Sequence, residues 1–116
     1  MFGAKKLPSN WIELKTLADL EAAHLASFKR PVVLFKHSVT CGISAFAKER
    51  ISDLAVNDTF QFYYIDLLSY REISNEIARK LGVIHQSPQV IVVKQGQAVF
   101  TTSHHSINQE VILENL

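Results

Sequence analysis

Apolar positions along the chain switch between strand-like and helix-like spacing. Trp11–Leu14 predicts a short opening strand. Thr16 stands where an N-cap belongs, with Asp19 in the first turn behind it. The helix it opens carries Leu17, Leu20 and His24 on one face and ends before Pro31; His24 has the place of a packed or boundary residue. Pro31 to His37 forms a second strand, apolar on both faces from Val32 to Phe35, as a buried strand is. Alternation points Lys36 outward from this strand, into solvent beside the turn Ser38–Gly42. A helix follows, with Ile43, Phe46, Ala47, Leu54 and Ala55 at helical spacing.

Phe60 to Asp66 is a third strand, rich in aromatics. Ser69 and Glu72 have the spacing of a capping box, and Ile73, Ile77 and Leu81 mark the inner face of the helix it would open. Gly82 is a natural stop. Pro88–Lys94 and Gln97–Ser103 form a hairpin around Gln95-Gly96. Ser106 and Gln109 suggest a second capping box, for a short last helix that carries Leu113 and Leu116. Alternating strands and helices predict an α/β fold: a central mixed sheet of four to five strands with helices on both faces. Its parallel strands would be joined by one antiparallel strand at an edge, supplied by the hairpin.

Composition narrows the function. A chain of 116 residues is one domain, with residues 1–9 expected to be a loose tail. A net charge of +1 makes no case for nucleic acid or an anionic membrane surface. The longest apolar runs, around Val32–Phe35 and Val90–Val93, are strand-sized and too short to span a bilayer. Lys5 and Lys6 precede no apolar core, so Met1 to Pro8 lacks the form of a secretory signal. No H-E-x-x-H, paired C-x-x-C or G-x-S-x-G occurs, so neither a metal site nor a serine hydrolase is expected. His104 and His105 are adjacent and point apart, a poor arrangement for one metal.

The single cysteine is more informative. It cannot form an internal disulfide, which favours a reducing, cytoplasmic location. Cys41 lies between the end of a buried strand and the start of a helix, the sheet edge where ligands bind in open α/β folds. Unpaired N–H groups and the helix dipole at such a place favour thiolate over thiol. The competing reading is a small buried hydrophobe, against which the polar neighbours Ser38, Thr40 and Ser44 argue. Ser44 stands three residues after Cys41, where a resolving cysteine would sit in a C-x-x-C pair. Serine cannot resolve a mixed disulfide, so any adduct on Cys41 requires an external thiol. Ser44 either donates a hydrogen bond to the thiolate or bonds the backbone of the first turn. His37 either lowers the thiol pKa as an imidazolium or makes no contact with the sulfur.

Phe35-Lys36-His37-Ser38-Val39-Thr40-Cys41-Gly42-Ile43-Ser44 resembles the active-site segment of the monothiol bacilliredoxins, thioredoxin-like proteins of the bacillithiol system. His85-Gln86-Ser87-Pro88-Gln89 and Thr102-Ser103-His104-His105-Ser106-Ile107 resemble two further segments of that family, and the likeness runs from about Trp11 to the end. Where the family usually has proline and tryptophan, this chain has Gly42 and His105. The resemblance implies a thioredoxin-like fold in which Cys41 takes bacillithiol, or a similar small thiol, from mixed disulfides on cytosolic proteins. The small thiol is then a co-substrate, with no tightly bound cofactor. Thr40, Gly42, Ser44 and His37 would support the cysteine. Ser87 and Pro88, the latter matching a cis-proline position, would form a substrate-binding wall with His85 close by. Two other classes of function fit one cysteine on this fold: a carrier holding an iron–sulfur cluster between two subunits, as monothiol glutaredoxins do, and an interaction domain in which Cys41 is incidental.

Overall fold

The computed structural model describes residues 7–54 and 56–116. The elements run β1 (Trp11–Glu13), α1 (Leu17–Ala26), β2 (Val32–His37), α2 (Gly42–Ile51), β3 (Gln61–Asp66), α3 (Arg71–Leu81), β4 (Gln89–Lys94), β5 (Gln97–Ser103) and α4 (Gln109–Glu114), with a short 3₁₀ turn at His104–Ser106. They build one five-stranded sheet in the order β1-β3-β2-β4-β5. Strands β1, β3 and β2 are parallel, while β4 runs antiparallel to β2 and β5 antiparallel to β4. The expected single antiparallel edge strand is therefore corrected: antiparallel pairing begins at the β2–β4 contact in the middle of the sheet. After α3 the chain enters β4 from the edge where β2 ends. The residues before β4 thereby continue alongside the end of β2.

Each face of the sheet is buried under helices. Val33, Phe35, Phe62, Tyr64, Val90 and Val92 share one core with Ala47 and Ile51 of α2 and Ile112 of α4. Trp11 closes it, stacked on Phe62 with ring centroids 4.4 Å apart. Val32, Leu34, Ile65, Ile91 and Val93 face the other way, against Leu20 and Ala23 of α1 and Ile73 and Ile77 of α3. Fully burying one such side chain contributes roughly 1.5–3 kcal/mol, so two cores of this size are what hold the sheet. Leu7 packs against the first core; residues 1–6 of the expected tail lie outside the described residues, as does Ala55. No helix among the described residues is long and apolar enough to cross a membrane.

Local signals were accurate where the partner was local. Thr16 accepts from the Asp19 N–H and the Asp19 carboxylate answers the Thr16 N–H, so that capping box forms. Gln95 and Gly96 both take positive φ, as a tight hairpin turn requires. The other two capping boxes do not form. Ser69 instead donates to the Asp66 carboxylate, and α3 starts after Tyr70 without a side-chain cap. Asn108, not Ser106, caps α4 by accepting from Val111 N–H, while the Gln109 amide reaches across to the Arg50 carbonyl. Helix faces shift as well. Leu17 is exposed on α1, and α2 turns Ile43 and Phe46 to solvent and buries Ser44, Ala47 and Ile51. Leu54 is buried, but beyond the end of α2.

Candidate active site

Strand β2 delivers the chain to the sheet edge at His37, and the turn reverses it into α2. The Cys41 N–H donates to the Ser38 carbonyl at 3.2 Å, and the Cys41 carbonyl accepts from Ala45 N–H at 3.0 Å. Cys41 is thus the N-cap of α2, with extended backbone (φ −105°, ψ 121°) and a partly exposed side chain that makes no cap hydrogen bond. Its sulfur is left available at the helix start. Gly42 is the exposed first residue of α2, with open space where a Cβ would be. Thr40 is exposed, its hydroxyl 3.4 Å from that of Ser38.

Ser44 points inward. Its Oγ accepts from Ser38 N–H at 2.9 Å and lies 2.7 Å from His37 Nδ1, all in the protein interior. Of the two roles open to Ser44, the described contacts are those that lock the turn; its hydroxyl makes no hydrogen bond to Cys41. His37 packs its ring near Phe35 and Tyr64. Burial, aided by the positive charge of Lys48 and opposed by Asp66, pushes its pKa down to about 4. The imidazole is therefore neutral at physiological pH, which favours the second of the two readings open to His37, the one without an imidazolium beside the thiol. Tyr64, in the same core, is pushed up to about 12 by burial and by the charges of Asp66 and Glu13.

The segment before β4 lies at the same sheet edge. The β2–β4 ladder ends at Lys36–Gln89, so Ser87 and Pro88 continue alongside the end of β2. The Ser87–Pro88 peptide bond is cis. Pro88 is buried and its carbonyl accepts from His104 N–H at 3.1 Å. Ser87 is partly exposed, and its Oγ is buried without a hydrogen-bond partner. His85 is exposed.

Three residues whose contacts sequence reasoning missed brace these segments. Lys36 is 0% exposed, not solvated, and donates from Nζ to the Ser74 carbonyl of α3 at 3.1 Å. Gln89, also buried, donates to the Ile84 carbonyl and accepts from Gln86 N–H, bracing the segment before Pro88. Arg50 of α2 donates to the carbonyls of Ile107 and His104, tying the C-terminal segment to the helix that carries Cys41. The available signal was a lysine inside an otherwise apolar run: in a strand covered on both faces, no outward side exists.

Residues 12–112 match the sequence model of the family described as monothiol bacilliredoxin BrxC. The chain belongs to the monothiol bacilliredoxin family. Among solved structures, this bacilliredoxin is similar to a proposed oxidoreductase with a thioredoxin fold, at 28% identity and a TM-score of 0.81 over 91% of this chain and 93% of that one. It is also similar to the thioredoxin NaTrxh of Nicotiana alata (19% identity, TM-score 0.74, 97% and 98% coverage). A third similar structure is the thioredoxin of Trypanosoma brucei brucei (16%, 0.71, 97% and 91%). The fold of the bacilliredoxin is thus thioredoxin-like, and family and fold together support a thiol-redox function.

Proposed function

We propose that this bacilliredoxin is a monothiol exchange enzyme that strips bacillithiol, or a similar small thiol, from mixed disulfides on cytosolic proteins. One observation carries the reading: the only cysteine of the chain caps α2, partly exposed, at the sheet edge where β2 ends and β4 begins. In the first step the Cys41 thiolate attacks the small-thiol sulfur of the mixed disulfide. That disulfide breaks, and the client sulfur leaves as a thiolate and takes up a proton. Cys41 now carries the small thiol as a new disulfide. With no second cysteine to attack it, a second small-thiol thiolate performs the next exchange, releasing Cys41 and a small-molecule disulfide. Ser87 and Pro88 form the wall against which the client segment rests, and Thr40 and Gly42 border the sulfur. The small thiol is a co-substrate, and no tightly bound cofactor takes part.

The test is intact-mass analysis after mixing with a bacillithiol-modified protein. Transfer of one bacillithiol to the wild-type chain and none to Cys41→Ser is the expected result. Transfer of a different small thiol but not bacillithiol keeps the chemistry and changes the co-substrate. No adduct with any small thiol overturns the reading.

A further inference from the structure

Arg50 commits its guanidinium to the main chain of another segment. From the last turn of α2, its Nε donates to the Ile107 carbonyl at 2.8 Å and its Nη2 to the His104 carbonyl at 3.1 Å. No ion pair to Arg50 exists among the described residues. A charged fork on two carbonyls fixes direction as well as distance, which the single head of a lysine does not. One of those carbonyls belongs to a residue of uncommon backbone. His104 has φ 54°, in the left-handed region that residues with a Cβ seldom adopt. Its N–H donates to the Pro88 carbonyl at 3.1 Å, while its own carbonyl accepts from Arg50 and from Ile107 N–H. Two hydrogen bonds through one residue's main chain thus join α2 to Pro88.

The path lies where the sheet no longer holds the chain. The β4–β5 ladder ends at Gln89–Ser103, and beyond that pair the His104 N–H holds Pro88 from the β5 side. At its other end the path grips α2, a ten-residue helix that moves as one rod with Cys41 as its N-cap. We propose that Arg50 is a positioning residue for thiol exchange: through the main chain of His104 it sets where the Ser87–Pro88 segment stands relative to the helix that presents Cys41. The His104 backbone carries this role and its imidazole does not. Exchange with a protein-borne disulfide depends on that placement, because three sulfurs must align while the client segment rests against Pro88. A small free disulfide has no such segment and needs only the thiolate. This inference rests on the exchange reading above.

Two measurements test it. The first compares two donors of the same group, mercaptoethanol: a short peptide whose cysteine carries it as a mixed disulfide, and hydroxyethyl disulfide. In each, the Cys41 thiolate attacks a mercaptoethanol sulfur, the disulfide breaks, and the peptide thiol or a second mercaptoethanol leaves. Intact mass follows the adduct on Cys41 in a single turnover, and the ratio of the two rates is the readout. Arg50→Met is expected to lower the peptide-to-hydroxyethyl ratio roughly tenfold, the scale of a modest misplacement. His104→Pro, which removes the N–H and forbids a positive φ, lowers it likewise. His104→Gly, which keeps both peptide groups and suits φ 54°, retains the wild-type ratio. Arg50→Lys, which keeps the charge and loses the fork, lowers the ratio in part and carries the test should Arg50→Met not fold. An unchanged ratio in the Arg50 variants, or a fall in His104→Gly as large as in His104→Pro, overturns the inference and leaves the exchange reading standing. Wild type that takes no mercaptoethanol from the peptide overturns both. The second measurement is amide hydrogen exchange at His104. Arg50→Met removes no atom of its bond to Pro88, yet the amide is expected to exchange roughly tenfold faster as the turn loosens. An unchanged exchange rate overturns the inference.

Discussion

Ser44 Oγ and His37 Nδ1 lie 2.7 Å apart where neither side chain reaches solvent, and the same hydroxyl accepts from Ser38 N–H. One serine thereby closes the turn that presents Cys41. Replacing it by alanine strands a buried ring nitrogen and a buried amide together. Ser44→Ala is expected to cost about 1–3 kcal/mol of unfolding free energy, the usual penalty for orphaned buried polar groups. Urea unfolding measures it. A loss below about 0.5 kcal/mol, the range of an inert surface change, would show that the pair does not brace the turn.

His37 makes stability depend on acid. Its pKa is pushed from 6.5 down to about 4, first by burial. As pH falls through this window the unfolded chain takes up a proton that the folded chain refuses. The unfolded state then binds more protons, so unfolding free energy falls with falling pH. The contribution is whole above pH 6.5 and lost once the pH passes below about 4. His37→Gln should flatten this part of the pH–stability curve relative to wild type. Parallel curves for the two proteins would refute it.

Gly42 is a point where stability can be gained. It is the first residue of α2, and an amide at that position has no intrahelical acceptor to lose. A Cβ there meets nothing within 4 Å. Cys41 already has the extended backbone (φ −105°, ψ 121°) that a following proline requires. Gly42→Pro is expected to stabilise by about 0.4–1 kcal/mol, chiefly by restricting the unfolded chain. A lowered melting temperature would contradict this geometry.

The rotation of α2 can be checked by a pair of substitutions. Phe46 is 67% exposed and Ile51 is 0% exposed. Phe46→Ser should stay within about 0.5 kcal/mol of wild type, whereas Ile51→Ala should cost about 2–5 kcal/mol. The opposite order would restore the helix face that periodicity alone predicts.

The placement of the cysteine was legible in the chain. A lone cysteine between an apolar run and a helical repeat, with serine three residues on, specifies a helix-start thiol that lacks an internal resolving partner. The environment of that thiol was less legible. Lys36 and His37 look like polar residues at a strand end, because their sequence neighbours are a solvated turn. Both are buried, because α3 and Ser74 cover one and α2 and Tyr64 cover the other. Ser69 and Ser106 have the spacing of caps, but Asp66 engages the first, and the turn at His104–Ser106 moves the start of α4 to Asn108.

The sequence by itself determined what is settled within a few residues: the order of strands and helices, the Thr16 cap, the Gln95-Gly96 turn and Cys41 at a helix start. Such features depend on bonds between near neighbours, so the local pattern suffices. Only the tertiary structure decided that β4 runs antiparallel beside β2, that Ser87 and Pro88 therefore continue alongside the end of β2, and that Lys36 Nζ meets His85 Nδ1. Those relationships join residues about fifty positions apart in the chain, as the Lys36–His85 contact does. They are set by which faces pack together, and no local spacing encodes that.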